Sequence, residues 1–154
     1  LKRTKILMVC LGNICRSPLA EGILKNKVAP EKVFVDSAGT GGYHIGLKPD
    51  SRSIDVAQKY GIDIKDQRCR KFSIADFEEF DMIYVMDKSN YQNIINLAYT
   101  EADKQKVQLL LEVLGEGSKE VPDPYHDKAD GFEKVFHMID EACTSIANDL
   151  NTQE

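Results

Sequence analysis

Four short apolar runs punctuate the chain: Ile6-Leu7-Met8-Val9, Val33-Phe34-Val35, Met82-Ile83-Tyr84-Val85-Met86 and Val107 to Leu111. None is long enough for a helix, and the first and third contain no charged or amide side chain, as strands covered on both faces require. Between the runs, apolar positions recur every three or four residues. Leu19, Ala20, Ile23, Leu24 and Val28 make one such stripe, and Phe132, Val135, Phe136, Ile139, Cys143, Ile146, Ala147 and Leu150 make a longer one near the end. Polar punctuation marks the helix ends. Ser17-Pro18 predicts a helix start with Ser as N-cap and Pro at the first helical position, and a helix from about Asp50 to Tyr60 stops at Gly61. Ser73-x-x-Asp76 opens a short helix, Asp87 caps one carrying Tyr91, Ile94 and Ile95, and Asp130-x-x-Glu133 opens the long last one. Strands alternating with helices predict an α/β fold: a single three-layer domain over residues 1–154, with a central four-stranded parallel sheet and helices on both faces.

Composition narrows the function without changing that picture. The 154 residues, 42% of them hydrophobic, suffice for one ordinary core. A net charge of -5 argues against general affinity for nucleic acid or for an anionic membrane, so any positive site must be local. Lys2-Arg3-Thr4-Lys5 ahead of an apolar run has the look of a secretory signal, but Gly12, Asn13 and Arg16 interrupt the run and no small-x-small cleavage site follows. No stretch is long enough to cross a bilayer. Cysteines at 10, 15, 69 and 143 fit neither a zinc pattern nor a small disulfide framework, and a reducing cytoplasm is the expected compartment. Cys143 lies on the last apolar stripe and reads as core. Cys69, within Arg68-Cys69-Arg70-Lys71, reads either as a reactive thiol near positive charge or as a small inward-facing side chain. The histidines at 44, 126 and 137 are not spaced as a metal site.

The chemistry begins where the first apolar run stops. Cys10 is followed at the sixth position by Arg16 and at the seventh by Ser17, and it alone of the four cysteines is so placed. With five Arg and thirteen Ser or Thr in the chain, chance would supply this spacing in about 1% of such sequences. A loop between the carboxyl end of a central strand and the amino end of a helix offers unpaired N–H groups and the positive end of a helix dipole to an anion. The segment Cys10 to Ser17 is therefore read as a phosphate-binding loop between the first strand and first helix, carrying its own sulfur nucleophile. The bland alternative is a buried cysteine beside an ordinary turn. Far along the chain, Pro122-Asp123-Pro124-Tyr125 sets a carboxylate between two prolines, on what should be a stiff, exposed loop. Alone that is a common turn. Beside a phosphate loop it is a candidate general acid, because expelling phenolate, with a conjugate acid near pKa ~10, is slow without a proton donor.

These residues together resemble the low-molecular-weight protein tyrosine phosphatases. The likeness rests on Val9-Cys10-x-Gly12-Asn13-Ile14-Cys15-Arg16-Ser17-Pro18, Asp36-Ser37-Ala38-Gly39-Thr40, Met86-Asp87-x-Ser89-Asn90 and Asp123-Pro124-Tyr125, in that order along nearly the whole chain. The resemblance implies Cys10 as nucleophile, Arg16 as phosphate clamp and Asp123 as general acid, with Leu11, Gly12, Asn13, Ile14, Cys15, Arg16 and Ser17 around the phosphate. It implies that Asn13, Ser17 and Ser37 support the loop, that Tyr43, Tyr125 and His126 flank the substrate, and that Cys15 is a redox partner able to form a reversible disulfide with Cys10. No cofactor or metal is implied. The expected partner is a phosphotyrosine protein or peptide, the product inorganic phosphate, and the acting species a monomer with no nucleic-acid or membrane partner. Two positions depart from the pattern: Tyr125-His126 replaces the common pair of tyrosines, and Gln67 aligns with a frequent network histidine.

Three rival functions share this scaffold. Arsenate reduction needs two further cysteines near the third strand, whereas residues 72–142 contain none. A phosphoarginine phosphatase would carry a small polar residue in place of the bulky Ile14. A phosphopeptide-binding module could dispense with Asp123. Glycine-rich nucleotide binding fails as well, since Gly39-x-Gly41 is followed by His44 where a third glycine is required.

Overall fold

The first apolar run lies at the inside of the sheet. In the computed structural model, which describes residues 2–115 and 119–152, β1 (Thr4–Cys10) pairs in parallel with β2 (Val33–Gly39) on one side and β3 (Met82–Val85) on the other. β4 (Val107–Leu109) adds to β3, again in parallel, to give the order β2-β1-β3-β4. Side chains alternate between two cores, as strand geometry demands. Ile6, Met8, Val35 and Tyr84 face one core, and Leu7, Val9, Ile83 and Val85 face the other. The first is covered by α1 (Arg16–Lys25), α2 (Ser51–Lys59) and α6 (Ala129–Thr152), with α1 and α2 both packed on α6. Behind the opposite face stand α3 (Asp76–Glu79) and α4 (Lys88–Ile95), which contribute Phe77 and Ile94 to that core. The three-layer α/β expectation is met.

The helix ends follow local chemistry. Asp50 caps α2 by accepting from Arg52 N at 2.9 Å, and Gly61, at φ 79°, takes the left-handed turn just beyond its end. Asp87 caps α4 through Asn90 N at 2.8 Å. The carboxylate of Asp76 reaches back to Ser73 N at 2.9 Å, the return half of the capping box read from the sequence. The α6 stripe from Phe132 to Ala147 is buried as its spacing requires.

Three boundaries differ from the sequence reading. The first helix starts at Arg16, not after a Ser17 cap, and no side chain caps it. The Ser17 hydroxyl is turned instead toward Cys10 and Asn13, and Pro18 fits because the first turn needs no N–H there. β2 runs on through Ser37-Ala38-Gly39, beyond the apolar run Val33-Phe34-Val35, because each pairs with β1 up to Cys10↔Gly39. β4 stops at Leu109, and Leu110–Leu114 wind into a 3-10 turn that points Leu110 and Leu111 into the first core. A short α5 (Glu101–Gln105), capped by Thr100 through Asp103 N at 3.1 Å, had no counterpart in the hydrophobic pattern and buries none of its residues.

Candidate active site

Between the end of β1 and the start of α1, five residues turn the chain through a tight loop. Four of its five carbonyls are taken by the surrounding protein: Leu11 O accepts from Gly41 N at 2.9 Å, Asn13 O from Cys69 Sγ at 2.8 Å, Ile14 O from Asp50 N at 2.8 Å and Cys15 O from Ser53 Oγ at 3.2 Å. None of the N–H groups of residues 11–15 donates to another described group. That combination leaves a set of free donors ahead of a helix N-terminus, which suits a phosphate dianion. β2 must come close for the loop to be held this way. A β-carbon on Gly39 would lie 2.8 Å from Leu11 O and 3.1 Å from Asn13 N, so only glycine fits.

Beneath the loop lies a chain of buried polar groups. Cys10 is 2% exposed, and its Sγ is 3.1 Å from Ser17 Oγ. Asn13 holds φ at 57°, the left-handed region, and its Nδ2 donates to Ser17 Oγ at 2.8 Å and Ser37 Oγ at 3.0 Å. Its Oδ1 accepts from Arg70 N at 2.9 Å. Ser37 in turn donates to Glu21 Oε1 at 2.7 Å, and the other oxygen of Glu21 takes Lys25 Nζ at 2.6 Å. Burial raises the Glu21 carboxyl above its usual range despite those donors. Gln67, aligned with the network histidine, stays outside this chain and donates to Pro18 O at 3.1 Å.

Arg16 is as buried as Cys10. Its Nη1 donates to Asp87 Oδ2 at 2.7 Å and to Val121 O at 3.0 Å, while its buried Nε has no partner among the described residues. Burial opposes its charge, but Cys10, Asp87 and Asp123 outweigh that and keep its pKa above the ordinary value. An orphaned guanidinium N–H in a buried site is a donor waiting for an acceptor. Asp123 Oδ2 stands 3.7 Å from Arg16 Nη2 on a side chain that is 43% exposed. The Asp-Pro loop thus carries its carboxylate across the molecule to the cysteine loop.

A cavity of about 360 Å³ joins these parts. Cys10, Leu11, Gly12, Ile14, Cys15 and Arg16 line it from the loop, and Tyr43, Asp123, Tyr125 and His126 line it from two other segments. Asn13, Ser17 and Ser37 lie buried beneath. Every candidate residue named from the sequence is therefore gathered at one place. A cleft of about 450 Å³ between α1 and residues 61–67 holds Glu21, Lys25, Asp63 and Asp66 but no nucleophile.

The two remaining thiols near the loop differ in setting. The Cys15 thiol is pushed well up, first by burial and then by Asp50, Cys10 and Asp123. Cys69 is inward-facing, as its blander reading held, and burial followed by Cys10 raises it to about 11. Sequence reasoning missed four contributors. Asp87 both caps α4 and holds Arg16, and the cap alone accounted for its carboxylate. Glu21 carried a usable signal: a carboxylate one turn beyond Ser17 on an apolar helix face needs a buried partner. His44 lines the cavity from the segment that follows β2, and Arg52 touches the Asp123 loop from α2; neither position departs from an ordinary exposed pattern in sequence.

Comparison with known proteins accords with this geometry. The family model for low molecular weight phosphotyrosine protein phosphatase matches residues 5–154. The low molecular weight phosphotyrosine protein phosphatase of Schizosaccharomyces pombe is 45% identical over 144 residues, covering 90% of this chain and 91% of that one. Among solved structures, the protein tyrosine phosphatase of Entamoeba histolytica with Hepes in its active site superposes with TM-score 0.90 at 37% identity, covering 97% and 98% of the two chains. The Drosophila arginine phosphatase superposes with TM-score 0.87 at 33% identity, covering 95% and 97%.

Proposed function

The chain belongs to the low molecular weight phosphotyrosine protein phosphatase family, and from that premise we propose that it hydrolyses phosphotyrosine through a cysteinyl-phosphate intermediate with Cys10, Arg16 and Asp123 as its catalytic residues. The Cys10 sulfur attacks phosphorus in line, forming an S–P bond as the P–O bond to the phenol breaks. Asp123 gives its proton to the departing oxygen. Water then attacks phosphorus, Asp123 takes back a proton, and the S–P bond breaks to release inorganic phosphate. The free N–H groups of residues 11–15 and the unpartnered Nε of Arg16 hold the three equatorial oxygens in both steps, the larger part of the rate gain in such reactions. Ser17 Oγ, at 3.1 Å, donates to the sulfur when it is the leaving group.

One observation carries this reading: a carboxylate from residue 123 and a sulfur from residue 10 share a single cavity, bridged by Arg16. A binding module has no use for the acid. Ile14, with Tyr43 and Tyr125, gives the cavity apolar walls suited to a phenyl ring, which favours tyrosine over phosphoarginine. Cys143 is buried against α1, 3.8 Å from Ala20 O, so it is no relay for arsenate reduction. Cys15 lines the same cavity as Cys10, and we assign it the resolving role: peroxide converts Cys10 to a sulfenic acid, and the Cys15 thiol displaces water to form the disulfide. Four free cysteines suit a reducing cytoplasm. No helix among the described residues is long and apolar enough to cross a membrane. The test is the rate of phosphate release from otherwise identical phosphotyrosine, phosphoserine and phosphoarginine peptides. Preference for phosphotyrosine by at least ~100-fold is expected; equal or better turnover of phosphoarginine refutes the substrate assignment.

A further inference from the structure

Asp123 sits midway along a loop that is held at both ends. Upstream, Val121 N donates to Met86 O at 2.8 Å and Val121 O accepts from Arg16 Nη1 at 3.0 Å. Downstream, the tie is Arg52, whose Nη2 donates to Tyr125 O at 2.9 Å and whose Nη1 donates to Asp127 O at 3.0 Å. The same guanidinium is locked from behind. It forks onto Asp50, Nε to Oδ1 at 3.0 Å and Nη2 to Oδ2 at 2.9 Å, and lies 4.4 Å from the Phe132 ring and 5.7 Å from the Tyr125 ring. Asp50 and Ser53 meanwhile bond the cysteine loop itself, through Ile14 O and Cys15 O. A continuous strut therefore runs from the carbonyls of the cysteine loop, through the first turn of α2, to the carbonyls of the Asp123 loop. Its last link is Tyr125 N, which donates to Asp123 Oδ1 at 3.1 Å.

Resting on the assignment of Asp123 as general acid, we propose that Arg52 is a positioning residue, which sets the Asp123 carboxyl at the height above Cys10 that delivers a proton to the leaving oxygen. The upstream tie at Val121 leaves the carboxyl itself loosely held, since the acid is 43% exposed and its own contact to Arg16 is long at 3.7 Å. Misplacement by about 1 Å can cost a proton transfer ~100-fold. The clamp requires arginine. Two carbonyls and a carboxylate need a planar fork of several donors, which the single ammonium of lysine does not supply.

The experiment compares kcat/KM for phenyl phosphate, whose leaving group needs protonation, with that for p-nitrophenyl phosphate, whose leaving group needs it far less. Arg52→Met is expected to lower the first by roughly 30-fold and the second by at most ~3-fold, since a well-placed acid is itself worth about 100-fold or more. Arg52→Lys, which keeps the charge without the fork, should resemble Arg52→Met. In an Asp123→Ala background Arg52→Met should add no leaving-group-dependent loss. Equal losses on the two esters, wild-type behaviour of Arg52→Lys, or an undiminished effect in the Asp123→Ala background would each overturn the proposal. If Arg52→Met does not fold, Arg52→Gln, which retains one amide donor for the carbonyls, takes its place in the same comparison. Asp123→Ala alone acting equally on both esters would refute the acid assignment, and the role of Arg52 with it. A selective Asp123→Ala beside an unselective Arg52→Met refutes the role of Arg52 only.

Discussion

Asn13 holds a left-handed backbone while its side chain and carbonyl make hydrogen bonds to Ser17, Ser37, Arg70 and Cys69. Backbone strain and side-chain network can be separated here. Asn13→Gly loses the network and removes the β-carbon, whereas Asn13→Ala loses the network but keeps a β-carbon in the left-handed region, at a cost of roughly 1 kcal/mol or more relative to glycine. Urea unfolding should rank Asn13→Ala below Asn13→Gly by about that amount, and equal stabilities would mean that the loop relaxes. Cys15 offers a second contrast. Its raised pKa keeps it a thiol, so it is not the cysteine oxidised first, and the proposed attack on an oxidised Cys10 requires it to lose its proton in that step. Mild peroxide should inactivate the wild type reversibly and Cys15→Ala less reversibly, with activity after thiol treatment as the readout; no difference returns Cys15 to a structural role. At this scale Cys10, Arg16 and Asp123 were legible because their chemistry demands those residue types. Asp87 and Arg52 were not, since a helix cap and an exposed cation each had a sufficient local explanation.

Helices and strands were legible wherever a periodic apolar face decides burial, as in α6 and β1, and less so where a side chain had two uses. Ser17 was read as a cap because it precedes proline, yet its hydroxyl bonds Asn13 and Cys10, and the helix begins two residues earlier than that cap implies. β2 outran its apolar run because Ser37 and Gly39 are needed in the ladder to bring the network and the close backbone approach under the cysteine loop. The join between α2 and α6 gives an element-scale prediction. The Tyr60 ring stacks 4.7 Å from Phe136, and Glu133 accepts from Tyr60, from Lys59 Nζ at 3.0 Å and from His137 Nε2 at 2.8 Å. Tyr60 first, then Lys59, holds the Glu133 carboxyl down at about 2, against the 4.5 of a free side chain. A depressed carboxyl stabilises the fold above its unfolded value and loses that contribution as pH falls, so the loss should run from about pH 4.5 to about pH 2. Glu133→Gln should flatten this acid limb of the urea midpoint; an unchanged limb would show that the join does not depend on the charge.

The sheet order puts the two residues of opposite chain position, Cys10 on central β1 and Asp123 ahead of α6, at the same end of the molecule, where ligands of open parallel sheets collect. Alternation of strand and helix made that end foreseeable, but the struts that set distances across it depend on tertiary contacts no pattern reports. Stability of the whole carries a second signature of the buried thiols. Cys69 is raised to about 11, and Cys15 and Cys143 are pushed further, all chiefly by burial, while the unfolded chain ionises near 9. Groups raised in the fold stabilise it below the unfolded value and cease to as pH rises, so stability should fall above about pH 9 by roughly 1 kcal/mol per pH unit for each thiol. Cys143→Ala should lessen that slope in urea titrations between pH 8 and about 10, and an identical slope would locate the alkaline loss elsewhere. The claim on which the account stands is the covalent one, and phosphorus NMR of enzyme quenched within the first turnover of an aryl phosphate addresses it directly. A thiophosphate ester resonance in the wild type, absent in a folded Cys10→Ser variant without turnover, is the predicted result; turnover retained by Cys10→Ser, or phosphate found on another side chain, contradicts it.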